Sequence, residues 1–297
     1  MNANAIEIRG LKKSFGHFQL GPLDLTVPQG AIYGLIGPNA AGKTTTLDLI
    51  MGMGDADAGS ITVLGLDHRR DEVAMKRQVA YASPDVNYTA WGKVWKLIRF
   101  VRGFYPSWDE SYCERLLQTL QVSIGDQIAA LSFGTRVKLG LILALSWHPK
   151  VLILDEPTAG LDAVSKKQIF SELLGAMQDE ERTVIISSHG LSDLERFADN
   201  IGMIKNGQLL VEGPMSELME RFTLVDFVTE NGTVFAPGGG FFVQKHEGNR
   251  WQALVDGRRN SLESLVARGA RQITTTPVTL EDVFVALAGE SILTKDI

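Results

Sequence analysis

The segment Gly37-Pro38-Asn39-Ala40-Ala41-Gly42-Lys43-Thr44 fits the pattern G-x-x-x-x-G-K-[ST], and it fixes the architecture around it. Such a loop functions only if a strand delivers it and a helix receives it. The apolar run Ala31–Ile36 comes immediately before it, and Thr44–Met51 reads as a helix after it. The glycines let the backbone turn its N–H groups inward, and the helix N-terminus adds partial positive charge. Lys43 is expected to reach the β- and γ-phosphates of a nucleotide, and the Thr44 hydroxyl to bind Mg²⁺, with Thr45 beside it. Gly37, Pro38, Asn39, Ala40, Ala41, Gly42, Lys43, Thr44 and Thr45 are therefore the candidate cradle.

A second buried strand, Val151–Leu154, ends in Asp155-Glu156. An acidic residue in that place suits Mg²⁺, which gives Asp155 a metal role beside Thr44. The next carboxylate, Glu156, is placed to orient or deprotonate an attacking water. Thr183–Ser187 and Ile201–Ile204 add two more apolar strands, the latter closed by the turn Asn206-Gly207. Buried strands separated by helical segments predict a largely parallel sheet with helices on its faces. Ile6–Arg9, Phe18–Leu25 and Ile61–Val63 read as antiparallel strands, with a turn at Asp57-Ala58-Gly59.

Between roughly 86 and 135 the pattern becomes helical. Trp91, Val94, Trp95, Ile98 and Val101 form one stripe, and Lys93, Lys96, Arg99 and Arg102 another. This is an amphipathic helix that presents either a core face with a solvated basic side or a docking surface. Beyond about 220, Thr223–Thr229, the turn Asn231-Gly232 and Thr233–Ala236 read as a hairpin, and Gly238–Gly240 as a loop. Phe241–Lys245 and Arg250–Val255 make a second strand pair, and Thr279-x-x-Asp282 caps a final helix to Ala288.

Composition excludes some function classes. The net charge of −6 over 297 residues, with both signs mixed, argues against a nucleic-acid binder. A single cysteine, Cys113, permits no intrachain disulfide, which fits a reduced cytosolic setting and an inert buried thiol. No run approaches a membrane span, and the N-terminal residues do not read as a signal peptide. Work at a membrane would need a partner that spans it.

Other segments carry a family resemblance over nearly the whole chain. Leu131-Ser132-Phe133-Gly134-Thr135, upstream of Asp155-Glu156, resembles the LSGGQ-type signature of ABC transporter ATPase subunits. Leu161-Asp162 resembles the family's D-loop, and His189 in Ser187-Ser188-His189 its switch histidine, a second catalytic candidate beside Glu156. Phe15 resembles the aromatic that stacks on adenine. Phe133 stands where the family has a small residue, and Thr135 where it has glutamine. The glutamine after the strand Val79–Tyr81 is missing: Pro84 fills its slot, with Asp85 next to it.

The resemblance implies an α/β P-loop NTPase with a RecA-like, mostly parallel core sheet. It adds an N-terminal antiparallel β subdomain and an α-helical insert at about 86–135. Residues 1–220 would form the ATPase domain and residues 221–297 a small C-terminal α+β appendage. It implies ATP and Mg²⁺ as cofactors. It also implies a head-to-tail homodimer, or a heterodimer with a similar ATPase, in which Ser132 and Gly134 of one subunit meet the nucleotide of the other. A separate transmembrane permease and a cytoplasmic, peripheral position on the inner face of the plasma membrane follow in the same way. Phe104–Asp109 resembles the YtrB-like branch of ABC-2-type exporter ATPases, and the tail Pro277–Phe284 resembles the end of many drug, antibiotic and lantibiotic exporter ATPases. The competing readings are a soluble ABC ATPase acting on ribosomes, DNA or a cofactor-assembly scaffold, and a P-loop kinase or GTPase. The second lacks support, since no N-K-x-D motif is present.

Overall fold

The computed structural model describes residues 3–178, 182–230 and 238–288. The chain forms two compact units, Met1–His189 with Ile204–Leu209, and Gly190–Met203 with Leu210–Ile297.

The first unit opens with β1 (Asn4–Phe15) and β2 (Phe18–Pro28), followed by β3 (Ile32–Ile36) and α1 (Lys43–Ile50). Next come β4 (Ala58–Val63), β5 (Leu66–Asp67), α2 (Glu72–Lys76) and β6 (Val79–Ala82). Strands β2, β1, β4 and β5 lie side by side in that order, all antiparallel. Ile6, Ile8, Leu11, Leu20, Leu23, Leu25 and Ile61 are buried; the period-two alternation of β1 is broken between Ile8 and Leu11, where an irregularity in the β1–β2 register shifts it by one residue. The turn expected at Asp57–Gly59 is absent. Ala58 pairs with Lys12, and the Asp57 N–H donates to the Lys12 carbonyl at 2.8 Å. Ladder hydrogen bonds to β1 outweigh the local turn preference and carry the strand through the glycine.

The helical insert holds α3 (Val94–Arg102) and α4 (Glu110–Thr119), and α5 (Phe133–Leu145) follows it. The stripe expected from Trp91 onward is interrupted. Thr89–Trp91 is a 3₁₀ turn, and Gly92 (φ 71°, ψ −81°) separates it from α3. Val94, Leu97 and Ile98 are the buried face, while Trp95 is 41% exposed alongside Lys93, Lys96, Arg99 and Arg102. Leu97 replaces Trp95 in the core because the buried arc is centred one position later than the aromatic spacing suggested. Cys113 is buried in α4, and burial pushes its thiol above the ordinary range, in keeping with an inert group.

The chain returns through β7 (Val151–Asp155), α6 (Ala163–Gln178) and β8 (Thr183–Ser188). Strands β6, β7, β8 and β3 are neighbours in that order and all parallel. Every residue of β3, β7 and β8 is buried, so each strand has a continuous apolar centre rather than an alternating pattern, with polar residues at the ends of β7 and β8. Their carboxyl ends line up, Asp155 pairing with Ser187 and Ile36 with Ser188. That edge is where open α/β sheets bind ligands.

The second unit contains α7 (Leu191–Leu194), part of β9 (Asn200–Lys205), β10 (Gln208–Pro214) and α8 (Met215–Arg221). It continues with β11 (Phe222–Val228), β12 (Phe241–Glu247), β13 (Arg250–Asp256), α9 (Leu262–Ala267), β14 (Arg271–Thr276) and α10 (Leu280–Ala288). The last four strands form an antiparallel sheet in the order β12-β13-β11-β14. Its core face gathers Val225, Phe227, Phe241, Trp251, Ala253 and Val255 with Leu265 of α9. The expected turn Asn231-Gly232 and strand Thr233–Ala236 lie outside the described residues. Asp256, 1% exposed, accepts two hydrogen bonds from Arg221, at 2.8 and 2.7 Å. The Arg221 guanidinium holds the Asp256 carboxyl below the usual carboxylate range. The capping box at Thr279 forms: the Thr279 N–H donates to Asp282 Oδ2 at 2.9 Å, and the Asp282 N–H to Thr279 Oγ1 at 3.2 Å.

Candidate functional site

The loop from β3 to α1 wraps into a cradle because two of its glycines admit no side chain. A Cβ on Gly37 would drive into the carbonyl oxygen of Ile204. Gly42, at φ 107°, caps α1 in the left-handed region that only glycine enters freely. Ala40 also has positive φ, at 61°. The cradle floors a cleft of about 580 Å³ lined by Phe15, Phe18, residues 39–45 and Glu156. That volume suits a small molecule such as a nucleotide. Phe15 is 51% exposed with Lys13 Nζ 5.2 Å from its ring centre, so it offers a free aromatic face at the rim.

The polar groups at the sheet's carboxyl edge are joined in one network. Thr44 Oγ1 donates to Asp155 Oδ2 at 2.8 Å. Ser187 Oγ donates a short hydrogen bond to the other oxygen, Oδ1, and accepts from the Glu156 N–H at 2.9 Å. His189 Nδ1 lies 2.7 Å from Glu156 Oε2. Lys43 Nζ is 3.5 Å from Glu156 Oε1, and donates to the carbonyls of Gly37 at 2.9 Å and Pro38 at 3.3 Å. Glu156 itself has φ 45°, a left-handed conformation that costs a non-glycine residue about 1–3 kcal/mol.

This arrangement gathers Phe15, the cradle, Asp155, Glu156 and His189. It does not gather Ser132 and Gly134, which do not line the cleft. Ser132 instead caps α5, its Oγ accepting from the Thr135 N–H at 3.1 Å, a cap worth about 1 kcal/mol. Gly134 abuts Leu161, and the Phe133 ring lies over Gly160. Asp85 is exposed and outside the cleft, its N–H donating to Ser83 Oγ at 3.3 Å. Tyr81, on the preceding strand β6, reaches α1, its hydroxyl donating to Asp48 at 2.9 Å. Burial holds the Asp48 carboxyl above the usual range, with Asp155 adding repulsion.

Chemically, the cleft presents the start of α1, one lysine, and a carboxylate braced between an imidazole and an ammonium. Thr44 and Asp155 supply hard oxygen donors, the type that suits Mg²⁺. Two protein oxygens are a ligand set of the kind that holds Mg²⁺ together with substrate phosphates and water. The Ser187 hydroxyl is the member of the network that sequence reading passed over. A lone serine in a buried strand carries no spacing signal, and only the register of β7 on β8 reveals it.

Comparison with known proteins agrees with this geometry. The ABC transporter family matches over residues 20–159. The chain is 27% identical to the ABC transporter ATP-binding protein YtrB of Bacillus subtilis, across 96% of this chain and 98% of that one. It is 30% identical to a Nod factor export ATP-binding protein I of Burkholderia lata, across 96% and 97%. A solved ATP-binding subunit of an ABC transporter superposes with a TM-score of 0.66 at 24% identity, covering 73% of this chain and 92% of the other, and so shares the fold.

Proposed function

The chain belongs to the ABC transporter family as an ATP-binding subunit with ATPase activity, and from that premise we propose that it energises export through a separate membrane-spanning permease. The observation that carries this reading is the division of the site. The cradle and Glu156 line one cleft, with Asp155 hydrogen-bonded to Thr44 and His189 to Glu156, whereas Ser132 and Gly134 neither line it nor bond to these groups.

A second subunit, identical or similar, completes the site head to tail by bringing its own Ser132 and Gly134 over the γ-phosphate. Lys43 and the N–H groups of residues 39–45 hold the phosphates, and Phe15 stacks on the adenine. Thr44 and Asp155 would hold the Mg²⁺ that accompanies ATP and neutralises phosphate charge. Glu156 orients a water and takes its proton as the water oxygen attacks the γ-phosphorus; the bond to the bridging oxygen breaks and ADP leaves. His189 braces the Glu156 carboxylate from the side opposite Lys43. Residues 1–220 serve as the ATPase domain and residues 221–297 as an accessory α+β module.

Export through a partner is supported by the names of the relatives and by the exporter-like tail Pro277–Phe284. No helix among the described residues is long and apolar enough to cross a membrane. In this reading the partner supplies the spanning part and this subunit works on the cytoplasmic face. The longest described helix, α6, has 16 residues, which does not favour the alternative of a DNA-type member built on a long coiled coil.

Glu156→Gln should lower turnover about 10²–10⁴-fold, the usual contribution of a general base, while ATP binding persists and a nucleotide-bound dimer accumulates on size exclusion. Normal turnover in that variant would sink the assignment of the base. Failure to recover a multi-spanning partner from solubilised membranes would sink export.

A further inference from the structure

We infer that Ser187 is a positioning residue of the ATPase reaction, holding the carboxylate of Asp155 and the backbone of Glu156 in a single rigid unit. The inference rests on the reading of Glu156 as the base. Strands β7 and β8 run parallel with Asp155 opposite Ser187. That register brings the Ser187 hydroxyl onto two groups together, donating to Asp155 Oδ1 and accepting from the Glu156 N–H. Serine and threonine alone combine a donor and free lone pairs in a group small enough for this fully buried site.

The consequences for the two carboxylates differ. Asp155 is gripped at both oxygens from two elements, Oδ1 by Ser187 on β8 and Oδ2 by Thr44 on α1. The β8 grip keeps Oδ2 turned toward the cradle, where a cation bound with the phosphates would meet it. For Glu156 the hydroxyl acts on the main chain. Its N–H points to β8, where Ser187 satisfies that part-buried donor next to the left-handed backbone at φ 45°. Two residues further on, His189 meets the Glu156 carboxylate. The tripeptide Ser187–His189 thus grips the base at its backbone and at its side chain. Removing the hydroxyl frees the Asp155 carboxylate to rotate about its bond to Thr44 and leaves the Glu156 backbone without the bond that sets its direction, while the bonds of Lys43 to the Gly37 and Pro38 carbonyls are untouched.

The test compares full-length Ser187→Ala, Ser187→Thr and Glu156→Gln in steady-state ATPase assays across ATP and Mg²⁺ concentrations, with thermal melting. Ser187→Ala should lose about 10–100-fold in kcat, as partners one step behind a ligand usually do, with the ATP KM unchanged and the Mg²⁺ requirement raised. Ser187→Thr, which keeps the hydroxyl, should recover most of the rate. The inference is overturned if Ser187→Ala turns over normally while Glu156→Gln is inactive. It is equally overturned if Ala and Thr variants lose activity together with melting temperature and nucleotide binding, the pattern of a purely structural residue. Normal turnover in Glu156→Gln would instead strike the base assignment itself, so the two failures are distinguishable.

Discussion

Asp155 and Asp256 are the same residue type at nearly the same burial, 2% and 1% exposed, yet they are satisfied in opposite ways. Asp155, in the first unit, accepts from hydroxyls: Thr44 on one oxygen, Ser187 on the other. Asp256, in the second, is closed by the two-pronged guanidinium of Arg221, with the Arg258 N–H at 3.1 Å on the same carboxylate. Hydroxyls orient a carboxylate but bring no neutralising charge, so Asp155 retains its pull on an external cation. A bidentate arginine supplies both hydrogen bonds and charge, so Asp256 has no appetite left. Partner chemistry, rather than burial, separates a carboxylate kept for function from one consumed by the fold.

Replacing each aspartate by asparagine is the sharpest way to break this contrast. Asp155→Asn should cost about a hundredfold or more in turnover, since it removes the charge on the metal side. It should leave the melting temperature of the nucleotide-free protein equal or higher, because a buried charge without a countercharge is relieved. A clear drop in that temperature would show that Asp155 also serves the fold. Arg221→Ala should do the reverse. Leaving Asp256 buried with only the Arg258 N–H and the more distant Arg259 Nε, at 3.7 Å, should destabilise the second unit by about 3 kcal/mol, seen as faster hydrogen exchange in β11 and β13, with turnover preserved.

The smallest effect is a pH dependence. The folded-state carboxyl of Asp256 sits below its unfolded value, so its stabilisation is complete above the unfolded value near pH 4 and fades as pH falls through the lower folded one. Exchange protection in β11 and β13 should therefore weaken on acidification in the native chain. Asp256→Asn should lack that particular slope. A slope that survives the substitution would assign the acid sensitivity to other groups.

Local patterns made the first half of this contrast legible in the sequence and the second half illegible. The cradle, Asp155 and Glu156 stand out because each lies at a strand end next to a loop of distinctive composition, and β3, β7 and β8 because burial on both faces leaves a central apolar run in each, with polar residues only toward the strand ends. Arg221 and Asp256 are 35 residues apart and meet only because β11 pairs with β13. Ser187 escaped for the same reason, its partners lying across a strand register. Strand β14 escaped differently. It is exposed along most of its length, so it carries no alternation, and pairing with β11 alone holds it extended. The turn misplaced at Asp57–Gly59 shows the converse, a strong local signal overruled by a distant ladder partner.

Gly37 carries a practical consequence for anyone choosing an inactive control. Its missing side chain makes room for the Ile204 carbonyl, independently of any phosphate. A saturation library would therefore deplete Gly37 variants for failing to assemble and Lys43 variants for failing to turn over. The two scores would look alike in a growth selection, although only the Lys43 allele yields a well-formed protein that could still occupy its partner and compete with the active form.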